Sequence, residues 1–204
     1  MPLWNRKVFF ADYVFYVWKN VYEPAEDSFL FADNLMVSEG DFVLDMGTGC
    51  GILGIIAAEK AARVIAVDVN PYAVRCTNEN VKRNGVSDKM FLVQGDLFTP
   101  IKIGEEFDLI FFNAPYLPLE NVEDNSWLGC AWSGGVAGRQ VIDRFIGAAP
   151  KYLKRGGHVF LMQSTLSNVD ETLRKFEENG LRASVVAERA LPFFETIVLV
   201  KAKR

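Results

Sequence analysis

Short apolar runs recur along the chain and alternate with amphipathic stretches. Residues 42–46, 64–68, 90–93, 107–112 and 158–163 are rich in Val, Ile, Leu and Phe and are bounded by Gly, Asp or Asn, so they predict buried strands. Between them, residues 24–36, 51–60, 71–84, 138–153 and 170–178 read as helices. Two of these starts carry chemical marks. Glu26 and Asp27 occupy a first turn, where acids favour the helix dipole, and Asn70 precedes Pro71 as an N-cap before proline at the first helical position. Residues 181–188 and 196–202 form a closing pair of strands. Strands alternating with helices imply an α/β fold, a parallel sheet covered on both faces. The connector near Pro192 is too short for a right-handed crossover, so a terminal strand is expected to run antiparallel to the rest.

Composition narrows the class. A chain of 204 residues, 50% hydrophobic and without a Pro/Gly/Ser-rich linker, is expected to form one domain over 1–204 with a substantial core. The net charge of -4 argues against a phosphate-gripping surface, so nucleic acid is not the expected partner. Three cysteines, Cys50, Cys76 and Cys130, with no C-x-x-C, suit a reducing, cytoplasmic setting and neither a disulfide framework nor a zinc site. The single histidine, His158, excludes a Ser-His-Asp triad built with any other, and is read as structural. The aromatic stretch 8–18 is interrupted by Asp12 and falls short of the ~20 residues that span a bilayer. Lys19-Asn20-Val21-Tyr22-Glu23 follows it, which is no signal-peptide cleavage site, so no membrane association is expected.

The candidate chemistry lies at the ends of the apolar runs. Asp45-x-Gly47-x-Gly49-x-Gly51 joins a strand to a helix, and glycines there let a ligand approach the backbone. The spacing is not the dinucleotide G-x-G-x-x-G. An acid at the strand end opposes pyrophosphate and favours a cationic amino group, which fits S-adenosylmethionine with its ammonium and sulfonium. Asp68 ends the next strand, where a carboxylate can accept from ribose hydroxyls. Asp96 follows the third, placed to accept from an adenine amine while Leu97 packs on the ring. Three acids at the carboxyl ends of successive strands occupy the ligand-binding edge of an open α/β sheet.

Asn113-Ala114-Pro115-Tyr116 closes the fourth strand. An amide nitrogen is a poor nucleophile because its lone pair is delocalised. The Asn113 side-chain oxygen and the Ala114 carbonyl, aimed at two N–H bonds, would orient such a group and stabilise positive charge growing on nitrogen. Pro115 confines Ala114 to extended geometry, and Tyr116 can stack on a planar substrate. Transfer of a methyl group to nitrogen is the chemistry these residues suit.

With these residues the chain resembles the class I S-adenosylmethionine-dependent methyltransferases, and among them the HemK-type glutamine methyltransferases of the archaeal and eukaryotic branch. Val21-Tyr22-Glu23-Pro24-Ala25-Glu26-Asp27-Ser28-Phe29, and Ala131-Trp132-Ser133-Gly134-Gly135 with Gly138-Arg139 and Asp143-Arg144-Phe145, carry the narrower resemblance. It implies a Rossmann-like, seven-stranded, mostly parallel sheet with an antiparallel final strand, and residues 1–37 as an N-terminal extension and capping helix. It implies that Ser28, Asp45, Gly47, Gly49, Asp68, Asp96, Leu97 and Asn113 line the cofactor site, Ser28 closing over it, and that residues 113–116 hold a substrate glutamine. In this family that glutamine lies in the Gly-Gly-Gln loop of a class I translation termination (release) factor, and eukaryotic members work with a small zinc-binding activator subunit. The family pattern is Asn-Pro-Pro-Tyr. Ala114 replaces the first proline, which keeps the carbonyl and loses the ring that fixes φ.

Adenine also presents planar N–H donors, so a methyltransferase acting on the exocyclic amine of adenine in DNA or RNA is the alternative reading of the tetrapeptide. A noncatalytic cofactor-binding module and a lysine methyltransferase are further alternatives. The first is opposed by intact Asn113 and the full set of acids, the second by the lack of a nearby base. Of the remaining features, the aromatics of 9–18 are read as packing, Trp127 and Trp132 as flanking the substrate, and Lys201-Ala202-Lys203-Arg204 as a solvated tail.

Overall fold

A computed structural model of the protein describes residues 4–119 and 126–204. Its elements are β1 (Trp4–Phe10), β2 (Tyr13–Trp18), α1 (Glu26–Asp33), β3 (Phe42–Met46), α2 (Ile52–Ala57), β4 (Arg63–Asp68), α3 (Pro71–Arg83), β5 (Met90–Gln94), β6 (Phe107–Asn113), α4 (Trp127–Trp132), α5 (Gln140–Ala148), β7 (Leu153–Ser164), α6 (Val169–Glu178), β8 (Arg182–Ala190) and β9 (Thr196–Lys203). A two-stranded sheet pairs β1 with β2, and a seven-stranded sheet runs β5-β4-β3-β6-β7-β9-β8. The chain forms two compact units, Met1–Pro100 and Ile101–Arg204.

In the first unit, β3, β4 and β5 pair in parallel, as runs apolar on both faces require. Val43, Leu44, Val64, Ala66 and Val67 are wholly enclosed. Asn70 caps α3 as its sequence predicts, its side chain accepting from the Tyr72 amide at 2.9 Å.

The N-terminal aromatics form an antiparallel hairpin with Phe15 fully buried, while Phe9 stays exposed. The free edge of β2 is met by asparagine side chains of α3. Asn84 Oδ1 accepts from Val14 N–H at 3.3 Å, and its Nδ2 donates to Val14 O at 3.1 Å. Asn80 repeats the pair one turn earlier on Tyr16, both bonds at 2.9 Å. Alternate strand residues are about 6.6 Å apart and helical residues four apart about 6 Å, so two asparagines one turn apart can serve a strand edge as a neighbouring strand would.

In the second unit, β6 and β7 are parallel, and β9 is antiparallel to both β7 and β8, which makes β9 the reversed strand anticipated from the short Pro192 connector. Two expectations need correction. The helix expected over 138–153 ends at Ala148, Ala149–Tyr152 form a 3-10 turn around Pro150, and Leu153 already begins β7. The terminal Lys201-Ala202-Lys203-Arg204 is no solvated tail. β9 runs through Lys203 with Ala202 buried, and the Arg204 amide donates to Gly157 O at 3.2 Å.

Arg139 anchors this unit. Its buried guanidinium donates to Ser167 O at 2.5 Å, Asn168 O at 2.7 Å, Thr172 Oγ1 at 2.9 Å and Asp143 Oδ1 at 2.7 Å. Arg139→Met strands these acceptors. It is expected to lower unfolding free energy by about 2–4 kcal/mol, read as a reduced urea midpoint at unchanged slope.

Candidate functional site

The glycine loop after β3 is anchored on one side and open on the other. Gly47 and Thr48 amides donate to Val67 O at 2.8 and 3.1 Å, and Gly49 N–H donates to Asp68 Oδ2 at 2.9 Å. From α3, Thr77 Oγ1 donates to Gly49 O at 2.9 Å and Asn80 Nδ2 to Cys50 O at 2.8 Å. Gly47 and Gly49 have φ of 67° and 60°, the left-handed region that excludes most side chains. A Cβ at Gly49 would stand in open space, whereas one at Gly54 in α2 would lie 2.5 Å from Asp45 Oδ2. Gly54 thus lets the helix close against the carboxylate.

Asp45 is buried at the carboxyl end of β3, where Thr48 Oγ1 donates to its Oδ2 at 2.6 Å. Burial pushes its carboxyl up to about 7, helped by the charge of Asp68 and opposed by the Thr48 hydroxyl and the Gly54 amide. Asp68 is half-buried, and its carboxyl is also raised, by desolvation, against the Asn70 and Gly49 amides that hold it. Its Oδ1 accepts from Asn70 N–H at 2.9 Å, as Oδ2 does from Gly49 N–H, and the Val69 amide bonds it too. The two acids and the glycine loop are therefore one assembly.

The Gly95 amide donates to Asp68 O at 3.0 Å, which ties the next loop to β4. There Asp96 O accepts from the Thr99 amide and hydroxyl at 3.1 and 2.7 Å, and half-buried Leu97 has φ 48°, a costly conformation for a γ-branched residue. Ser28 lies buried in α1, its amide and hydroxyl directed onto Asp27 Oδ1 at 2.6 and 3.2 Å, where the Tyr22 hydroxyl also bonds at 2.9 Å.

In the second unit Asn113 ends β6 in register with Met162, and Ala114 is buried. The segment after the tetrapeptide is held by the Trp-Ser-Gly-Gly stretch. Leu117 N–H donates to Trp132 O at 3.0 Å, Gly134 N–H to Leu117 O at 3.0 Å and Leu119 N–H to Gly135 O at 3.1 Å. Gly138 has φ 68°, and a Cβ there would sit 2.3 Å from Tyr116 O. Only glycine fits both constraints.

Residues 28–126 match the family model described as ribosomal protein L11 methyltransferase (PrmA). Over 181 residues the chain is 42% identical to the Methanocaldococcus jannaschii protein MJ0928, named as a protein N5-glutamine methyltransferase, a match covering 88% of this chain and 90% of that protein. The chain belongs to the HemK-type protein N5-glutamine methyltransferases. Human methyltransferase HEMK2 is 31% identical over 182 residues, 83% of this chain and 84% of that one. Among solved structures, the E. cuniculi Mtq2-Trm112 complex, responsible for methylation of the eRF1 termination factor, matches with TM-score 0.67 and 26% identity over 91% of this chain and 99% of that chain. The T. thermophilus 16S rRNA methyltransferase RsmC, in complex with AdoMet and guanosine, shares the fold with TM-score 0.72 and 21% identity over 100% of this chain and 52% of that one.

The donor set fits the family's cofactor, S-adenosylmethionine. The buried Asp45 and half-buried Asp68 carboxyls suit an ammonium and hydroxyls, and the open face at Gly49 leaves room for a ligand against the backbone. Sequence reasoning missed Thr48, Gly54, Thr77 and Asn80. Thr48 stands between the glycines, but nothing in the pattern marks the other three as partners of the loop.

A carboxyl raised to about 7 favours the free fold while protonated, so its contribution to stability is fully present below about 4 and is lost as pH rises through 7. An ammonium bound at Asp45, as the sequence predicts, would reverse that preference. Cofactor affinity is expected to rise about tenfold per unit from pH 5 to 7 and then level off, with proton release seen by calorimetry in buffers of different ionisation enthalpy. Asp45→Asn should abolish this dependence, weaken binding, and stabilise the free protein at pH 8 by about 1–3 kcal/mol.

Proposed function

We propose that this methyltransferase transfers a methyl group from S-adenosylmethionine to the side-chain amide nitrogen of a glutamine in the Gly-Gly-Gln loop of a class I translation termination factor. The near-full-length similarity to a protein named as an N5-glutamine methyltransferase carries this reading. It supports an amide acceptor over the adenine amine, a choice the tetrapeptide leaves open. The Mtq2-Trm112 complex supports a small activator subunit here too. In our reading that subunit binds zinc and the enzyme acts in the cytoplasm. The chain acts as a single methyltransferase domain, 1–204, with 1–37 as extension and capping helix.

When bound, the cofactor supplies an electrophilic methyl on a sulfonium. In this reading Asp45 would accept from its ammonium, Asp68 from ribose hydroxyls and Asp96 from the adenine amine, with Leu97 against the ring. Ser28, through α1, would close over the cofactor. Asn113 Oδ1 and the Ala114 carbonyl accept from the two N–H bonds of the glutamine amide, and Tyr116 packs on its plane. As the nitrogen is alkylated its positive charge is stabilised by these acceptors, and one proton leaves to solvent, so no general base is needed.

Incubation with labelled cofactor and a termination factor, with and without an activator subunit, and separately with RNA and DNA, tests the proposal. Mass spectrometry should place the label on the loop glutamine, and label on adenine would refute it. Asn113→Ala should lower turnover by about 10²–10³-fold. Ala114→Pro should leave cofactor affinity unchanged and alter turnover alone. A changed affinity would contradict this account of the loop.

A further inference from the structure

The N-terminal segment is tied to the cofactor loops by two asparagines that no part of the reaction needs for chemistry. Asn80 is fully buried, and one side-chain amide serves two masters. Its Oδ1 accepts from Tyr16 N–H and its Nδ2 donates to Tyr16 O, both at 2.9 Å, while Nδ2 also donates to Cys50 O in the glycine loop at 2.8 Å. Asn70 makes the parallel link. Its Nδ2 donates to Asn20 O, just past the hairpin, at 2.8 Å, and its own amide donates to Asp68 Oδ1 at 2.9 Å.

We infer that Asn80 and Asn70 are positioning residues through which the N-terminal hairpin sets the cofactor-binding loop and the Asp68 carboxylate. The inference rests on the reading that these loops seat the cofactor. Each bond is short and at least one partner in each is buried, so a displacement of residues 14–20 cannot be absorbed without moving Cys50 O or breaking the amide pair. A residue gripping the hairpin alone provides the contrast. Asn84 makes the same amide pair to Val14, and its remaining bond goes to Asn80 O at 2.8 Å within its own helix, with none to the glycine loop.

The test compares three variants of the full chain for S-adenosylhomocysteine affinity, cofactor KM and kcat, and melting temperature. Asn80→Ser, too short to span both partners, should raise Kd and cofactor KM about tenfold with kcat at saturation unchanged. Hydrogen exchange at residues 49–51 should quicken. Asn70→Ser keeps a helix-capping oxygen but cannot reach Asn20 O, and should raise cofactor KM by a smaller factor without loss of melting temperature. Asn84→Ala should lower melting temperature at unchanged Kd. If Asn80→Ser and Asn70→Ser both bind like the parent, whatever their melting temperatures, the inference is overturned. Should Asn80→Ser fail to fold, Asn70→Ser decides alone, by raised or unchanged KM. Failure of the underlying reading looks different: Asp45→Asn and Asp68→Asn would then leave affinity intact.

Discussion

The structure depends on keeping a carboxylate out of water at the end of β3. Asp45 loses hydration, and what it receives in return is small: one hydroxyl from Thr48 and the Gly54 amide. The surroundings are shaped by this need. Gly54 has no side chain because the carboxylate occupies that space, and the glycine loop folds back to bring Thr48 within reach. A free protein that holds an under-compensated acid is poised for a cation, since the ligand supplies what the fold withholds. A second raised acid, Asp68, adds its charge to the first, and under the proposed reading the pair would oppose a phosphate group.

The rest of the first unit serves to hold that arrangement still. A loop of glycines is entropically costly to order. Here the order comes from outside the loop: from Val67 O and Asp68 on β4, and from Thr77 and Asn80 on α3. In the second unit the tetrapeptide is followed by a segment held by the backbone. Its shape is kept by backbone pairing of Leu117 and Leu119 with the Trp132–Gly135 stretch, and by Gly138, which lets the chain approach Tyr116 O. This gives Ala114 a physical context. Where the family pattern has proline, Ala114 is buried, and the chain just beyond it is tied by backbone bonds.

The strands and the reversed β9 could be read from the chain because buried parallel strands are marked by uninterrupted apolar runs, and a short connector permits only one sense of pairing. The acids could be read because they end those runs. The N-terminal hairpin was legible only as an aromatic stretch, since its edge is satisfied by side-chain amides of α3, a partnership with no periodic trace. The boundary at Ala148 leaves little trace in the apolar pattern, which runs on past Pro150, whose ring helps to end the helix. The Trp-Ser-Gly-Gly stretch was visible by family resemblance, and only the structure supplies its reason, the pairing with residues 117–119.

Under the proposed reading, the buried Asp45 carboxyl stays in a proton-favouring state until a bound cation relieves it. Carbon-13 NMR of the aspartate side-chain carboxyls, titrated with and without bound S-adenosylhomocysteine, measures this directly. The expected midpoint for Asp45 is about 7 in the free protein, falling to the ordinary carboxylate range in the complex. A midpoint already in the ordinary range in the free protein, or one that the ligand leaves in place, would contradict it.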